Sequence, residues 1–157
     1  MRDRFVKSAA FGGLLAFGMV PFASAYTNED VQGRWDCLVR STDLSMEARF
    51  IVTFQPGGKA FADGEMNILD PEFELSLNID YTYDYDVVGD MISERNMDLT
   101  VGDGTLNGTP VTSDIKAALE AEMDSTEDTS SELIYRGEDA LIFRGTDDVT
   151  TCLRPVG

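Results

Sequence analysis

Regular alternation of apolar and polar residues runs through much of this chain and predicts an all-β protein. Between positions 75 and 87 every odd residue is apolar or aromatic and every even residue is polar. Side chains of a β-strand alternate between two faces, whereas those of an amphipathic helix recur every 3.6 residues. A strand of this length would span roughly 40 Å at about 3.3 Å per residue, so we expect a bulge or bend inside it.

The same alternation predicts seven further strands. Residues 46–54 alternate clearly, and the turn Gln55-Pro56-Gly57-Gly58 joins them to the next strand in a hairpin. In the strand at 91–101, we expect Met91, Met97, Leu99 and Val101 to share one face. The eight predicted strands cover about 35–39, 46–54, 59–66, 75–87, 91–101, 132–136, 140–144 and 149–154.

One short helix is predicted near 113–123, because Ile115, Leu119 and Met123 recur at helical spacing and Thr112 or Ser113 can cap it. Eight strands are the number at which a closed barrel just fills or holds one small ligand. The predicted fold is therefore a roughly eight-stranded antiparallel barrel, closed or flattened, with a β-sandwich as the alternative.

The first 25 residues have the features of a signal peptide. Arg2, Arg4 and Lys7 form a basic end, an apolar run follows, and Ala23-Ser24-Ala25 is an A-x-A cleavage site. The mature chain, residues 26–157, is predicted to form one domain that is periplasmic or secreted, with no membrane span after cleavage. Export places the two cysteines in an oxidising compartment, where one disulfide is the expected state.

A single antiparallel register can pair both ends of the mature chain. If Cys37 lies opposite Cys152, then Trp35 lies opposite Arg154, and all four side chains share one face. That register allows a disulfide and a guanidinium stacked on an indole. It also joins the first strand to the last, which is how a sheet closes into a barrel.

Charge narrows the classes of partner. Of 12 basic and 29 acidic residues, three and one lie in the predicted signal peptide, which leaves a mature net charge of −19. Such a surface repels nucleic acid and anionic lipid, and it favours solubility or a basic partner. The chain contains no histidine, so it lacks the commonest general base and transition-metal ligand.

The arrangement resembles the lipocalin-like (calycin) β-barrels, in particular small exported bacterial ones. The resemblance is carried by Gly33-Arg34-Trp35 at the first strand, the run of hairpins, the turn at 54–61 and Arg154 near the end. It implies that Trp35 plugs one end of the barrel and that Arg154 packs across it. Lipocalins place their helix after the last strand, whereas the helix predicted here precedes the final three strands.

An aromatic stripe is the strongest candidate for a ligand site. The residues predicted to line an apolar pocket are Phe50, Val52, Phe61, Tyr81, Tyr83 and Tyr85. The alternative is an ordinary packed core, although unpaired phenols are costly to bury. The predicted function is an exported, non-enzymatic protein that binds a small apolar or amphiphilic ligand. The alternative is an acidic interaction module, an inhibitor or accessory protein with a packed barrel, that docks a basic protein through its outer face or helix.

Other chemistry has little support in the sequence. Asp80, Asp84 and Asp86, or the loop at 103–108, could hold a hard cation, but a solvated acidic face explains them better. We find no Gly-x-Ser-x-Gly, phosphate loop or dinucleotide fingerprint. We therefore predict no metal, no cofactor and no enzymatic activity.

Overall fold

The computed structural model describes residues 25–42, 45–124 and 128–156, and within them the strands close into an antiparallel barrel. The predicted signal peptide lies outside the described residues except for Ala25. In chain order the elements are α1 (Asn28–Val31), β1 (Gly33–Ser41), β2 (Met46–Gln55), β3 (Lys59–Leu69), β4 (Glu74–Val88), β5 (Met91–Leu106), β6 (Thr109–Pro110), α2 (Ser113–Asp124), β7 (Thr129–Arg136), β8 (Ala140–Arg144) and β9 (Asp148–Leu153).

Eight of these strands form the closed barrel. The sheet runs β4-β3-β2-β1-β9-β8-β7-β5, and β5 pairs back onto β4. The short strand β6 adds to the far end of β5. The predicted all-β closed barrel with one short helix is therefore confirmed, and the β-sandwich alternative is wrong.

The first and last strands close the barrel in the predicted register. Cys37 lies directly opposite Cys152, and the two are joined by a disulfide. Both side chains are about 1% exposed, so the bridge belongs to the core. The predicted disulfide is confirmed, and it fits a protein of an oxidising compartment.

One end of the barrel is filled by Trp35. Its indole is fully buried, and its Nε1 donates a hydrogen bond of 2.7 Å to the carbonyl of Val31 in α1. The Arg154 guanidinium lies 3.7 Å from the indole centroid and donates to the carbonyl of Gln32 at 2.9 Å. Gly33, with φ of 112°, lies directly beneath this guanidinium, where a Cβ would collide with it. The predicted stack of Arg154 on Trp35 is confirmed.

Strand β5 changes the parity of its inward-facing residues at Asn96. Ile92 and Glu94 face the interior before that point, and Met97 and Leu99 face it afterwards. Asn96 has φ of 52°, in the left-handed region that asparagine tolerates better than most residues. One extra residue inserted in a strand moves every later side chain to the other face.

The pairing of β4 with β5 shows the same irregularity. Thr82 pairs with Asp98, and Asp84 pairs with Arg95. A step of two residues along β4 therefore matches a step of three residues along β5. A second shift lies between Leu77 and Ile79, whose partners are Gly104 and Val101. A bulge was expected inside β4, whereas both extra residues lie in β5. The prediction that Met91 shares a face with Met97 is wrong, because Met91 is 39% exposed and its neighbour Ile92 is buried.

Helix α2 covers an open edge of β5. Strand β7 pairs with β5 only at residues 91–94, so the later part of β5 has no strand partner on that side until β6. Glu120 of α2 accepts a hydrogen bond of 2.8 Å from the Val101 amide, and Ile115 and Leu119 pack against the core. The helix thus interrupts the strand series where an edge would otherwise be exposed.

Candidate ligand cavity

The barrel interior holds a cavity of about 790 Å³ at the end opposite Trp35. All eight barrel strands contribute to its lining, together with Met123 of α2. It reaches the molecular surface, because several lining residues are exposed: Asp128, Thr129, Ser130, Thr146 and Asp147. A volume of this size falls in the range of small-molecule sites.

Apolar side chains form the wall of the cavity. Strand β2 supplies alternate residues from Ala48 to Phe54, and β8 supplies Phe143. Four methionines also line it: Met46, Met66, Met97 and Met123. Methionine side chains are unbranched and polarisable, so a wall that contains them can adapt to the shape of a bound molecule.

Two tyrosines bring polar groups into this apolar space. The Tyr81 and Tyr83 rings stack with centroids 5.6 Å apart, and Phe50 meets Tyr81 edge-on at 5.2 Å. Within the described chain neither hydroxyl has a protein hydrogen-bond partner, and both open onto the cavity rather than being sealed in the wall. Burial, and then the charge of Glu94, raise the pKa of both phenols, so they stay protonated and able to donate.

Glu94 projects into the cavity from β5. Burial raises the pKa of its carboxyl group to about 7, with a further contribution from the charge of Asp148. The Thr129 hydroxyl donates a hydrogen bond of 3.3 Å to this carboxyl group, which acts against the rise in its pKa. An enclosed carboxyl group of this kind is costly to ionise unless a cation or a further donor approaches it.

The predicted site residues fall into three groups. Phe50, Val52, Tyr81 and Tyr83 line the cavity together. Tyr85 faces the same interior but lies at the closed end, where its hydroxyl donates a hydrogen bond of 2.8 Å to the carbonyl of Gln55.

Phe61 lies elsewhere, on the outer face of β3 and 43% exposed. Phe61 pairs with Thr53 and Thr82, whereas its neighbours Ala60 and Ala62 face inward. The prediction that Phe61 lines the interior is wrong because the strand phase, not the residue type, decides the face.

Sequence reasoning missed Glu94. The predicted phase of the strand at 91–101 placed odd residues inward, which turned Glu94 outward. Two signals were present: buried-type Ile92 stands in phase with Glu94, and Asn96 interrupts the alternation before Met97. An asparagine at a break in alternation is a common mark of a bulge.

The weaker candidates are not assembled into sites. Asp80 and Asp86 are exposed. Asp84 accepts hydrogen bonds from Lys59 at 2.7 Å and from Asn96 at 2.8 Å, and these two bonds lower the pKa of its carboxyl group. Asp103, in the loop region, pairs with Lys116 at 2.8 Å. Among the described residues, no cluster of histidine, cysteine or acidic side chains is arranged to hold a metal ion.

No protein-family model matches this chain, and no curated protein matches it. Within the described ranges, no helix has the length and apolar character needed to cross a membrane.

Proposed function

We propose that this chain is an exported, lipocalin-like, non-enzymatic barrel that binds a small apolar or amphiphilic ligand. The observation that carries the proposal is the cavity of about 790 Å³, open to the surface and walled by apolar side chains. Side chains usually fill the interior of a domain to the density of an organic crystal. The side chains that line a cavity of this size lack protein contacts on one side, and a bound molecule would supply them.

The unpartnered tyrosine hydroxyls support the same proposal. Both hydroxyls open onto the cavity without a described protein partner, so water or a ligand there can accept hydrogen bonds from Tyr81 and Tyr83. The Cys37–Cys152 bridge supports export, because disulfides persist in oxidising compartments.

An acidic interaction module with a packed barrel is the weaker proposal. Its premise is a filled interior, and the cavity lies within that interior. The strongly acidic composition still leaves a basic partner as an outcome of the test below.

Titration with the neutral fluorophore N-phenyl-1-naphthylamine tests the ligand-binding proposal. We expect saturable binding of one fluorophore per chain, with the blue shift of an apolar environment. Ala48→Phe places a ring inside the cavity wall and should abolish binding. Phe61→Ala, on the outer face, should leave it unchanged.

Circular dichroism and thermal unfolding would establish that each variant is folded. If Ala48→Phe does not fold, Thr150→Trp narrows the cavity from β9 and replaces it. Non-saturable binding to the parent protein, or full binding by a folded cavity-filling variant, would contradict the proposal. Native mass spectrometry of protein purified from its own host would then distinguish the ligand-binding protein from the interaction module, because a co-purifying basic protein favours the interaction module.

A further inference from the structure

The charges that line the cavity are all of one sign. Glu94, Asp128, Asp147 and Asp148 contribute carboxylates, whereas no lysine or arginine is among the described lining residues. The acidic composition makes exposed aspartates at a rim unsurprising. Glu94 is different, because it stands inside the barrel beside two enclosed phenols.

The basic side chains of the described chain all lie outside the cavity lining. Six of them form ion pairs with acidic residues outside the cavity: Arg40–Glu47, Arg49–Asp36, Lys59–Asp84, Lys116–Asp103, Arg136–Asp30 and Arg144–Glu132. Arg34 and Arg95 are exposed, and Arg154 covers Trp35 at the closed end. Hence no cation among the described residues balances Glu94 when its carboxyl group ionises.

Glu94 and the tyrosine pair face the same space. The charge of Glu94 is among the causes that raise the pKa of both Tyr81 and Tyr83, after burial itself. Stacked tyrosine rings present electron-rich faces to a cation, and a carboxylate beside them adds a full negative charge. Both effects are stronger in an enclosed apolar space than in water.

We propose that the cavity binds a cationic amphiphile, whose ammonium group lies between Glu94 and the Tyr81–Tyr83 pair and whose hydrocarbon body packs against the apolar wall. This inference rests on the proposed ligand-binding function and names its ligand class. A cation supplies the counter-charge that Glu94 lacks, and the aliphatic body fills the volume bordered by Phe50, Leu99 and the methionines. Among the described lining residues, an anionic amphiphile such as a fatty acid would meet four carboxylates and no basic side chain.

A series of ligands that differ only in head-group charge tests the inference. Decylamine, decanol and decanoate share one alkyl chain, and each is tested as a competitor of N-phenyl-1-naphthylamine below its micellar concentration or, for decanol, its solubility limit. We expect decylamine to bind about tenfold or more tightly than decanol, and decanoate to bind more weakly than either.

Two matched variants separate local recognition from the general field of the protein. Glu94→Gln keeps the shape and removes the interior charge, whereas Asp86→Asn removes one exposed charge from the outer face of β4. We expect Glu94→Gln to lower the preference for decylamine over decanol about tenfold, and Asp86→Asn to leave it unchanged. The preference of the parent protein should also persist at about 0.5 M salt, which screens exposed charges far more than enclosed ones.

The outcomes distinguish this inference from the function on which it rests. If the neutral fluorophore and all three decyl compounds fail to bind, the ligand-binding proposal itself is wrong. If decanol or decanoate binds as tightly as decylamine, ligand binding stands and the cationic class is overturned. Equal effects of the two variants, or loss of the preference in salt, would also overturn it. If Glu94→Gln does not fold, the ligand series and the salt dependence of the parent protein decide whether the cationic ligand class stands.

Discussion

The two ends of this barrel use similar residues in opposite ways. At the closed end, the Trp35 indole donates to Val31, the Tyr85 hydroxyl donates to Gln55, and Arg154 donates to carbonyl groups beside α1. At the cavity end, the hydroxyls of Tyr81 and Tyr83 have no partner in the described chain. Aromatic side chains with a polar atom thus serve the fold at one end and remain available at the other.

The contrast teaches how to separate packing from binding in such a fold. Tyr81, Tyr83 and Tyr85 stand in one continuous alternation on β4, and nothing in their spacing distinguishes them. What differs is whether a backbone carbonyl lies within reach of each hydroxyl. A polar group with a protein partner contributes to stability, whereas one that opens onto a cavity without such a partner marks a place for water or a ligand.

Trp35→Ala should have the largest effect on stability. The indole is fully buried in the plug, so its removal is expected to lower the free energy of unfolding by about 3–5 kcal/mol. Met97→Ala in the cavity wall should cost less, about 1–2 kcal/mol, because that side chain already borders empty space. Urea unfolding followed by circular dichroism measures both, with exposed Leu153→Ala as the control. An equal loss of unfolding free energy in Trp35→Ala and Met97→Ala would contradict the proposed difference between the closed end and the cavity end.

Removing the disulfide should have the next largest effect. The Cys37→Ala/Cys152→Ala variant frees a loop of 115 residues, and we expect a loss of about 2–4 kcal/mol, below the roughly 4.7 kcal/mol of the loop-entropy model. The same urea titration measures it, compared with the parent protein with and without reductant. The bridge stabilises mainly by constraining the unfolded chain, so the variant should remain folded under native conditions. Both cysteines also line the cavity, so a change of ligand affinity in the folded variant would measure how far the bridge shapes the cavity wall.

Stability should fall as pH rises from about 4.5 to about 7. The carboxyl group of Glu94 has its pKa raised from 4.5 to about 7, so the folded state holds a proton that the unfolded chain has released in this window. We expect a loss of about 1–2 kcal/mol between pH 5 and pH 8, after allowance for the partial solvation of the cavity. Tyr81 and Tyr83 do not titrate in this range, and the charge of Asp148 adds to the effect.

Unfolding at a series of pH values measures this dependence. Glu94→Gln should remove most of the slope and Asp86→Asn should not, since Asp86 is exposed. An unchanged slope in Glu94→Gln would assign the dependence to other carboxyl groups.

Deleting single hydroxyls gives the smallest but most direct comparison of the two ends. Tyr85→Phe should cost about 1 kcal/mol, because it removes a hydrogen bond to Gln55 and leaves that carbonyl without this donor. Tyr83→Phe should cost close to zero or stabilise the ligand-free protein, because its hydroxyl has no hydrogen-bond partner among the described residues. Thermal unfolding of both variants without ligand measures the difference. Equal destabilisation would mean that Tyr83 has a partner, for example a bound water, in the free protein.

Much of the fold could be predicted from the sequence. Period-two alternation located the barrel strands, and a single antiparallel register placed Cys37 opposite Cys152 and Arg154 against Trp35. Export and redox chemistry favoured the bridge before any geometry was known. These features depend on local periodicity and on pairing between two segments, which residue order alone can encode.

The candidate site could be predicted only in part. Phe50, Val52, Tyr81 and Tyr83 were assigned to the cavity because the phase of their strands is regular. Phe61 was misassigned by residue type, since the hairpin register turns it outward. Glu94 was missed because the bulge at Asn96 reverses the phase of β5.

The sequence by itself determined the all-β class, the pairing of the terminal strands and the acidic character of the chain. Only the tertiary structure decided that the interior encloses a cavity, that Glu94 enters it and that every described basic side chain is excluded from its lining. The physical reason is that periodicity is a property of neighbouring residues. Interior volume, and the presence of a partner for each buried polar group, depend on how all eight strands close around one another.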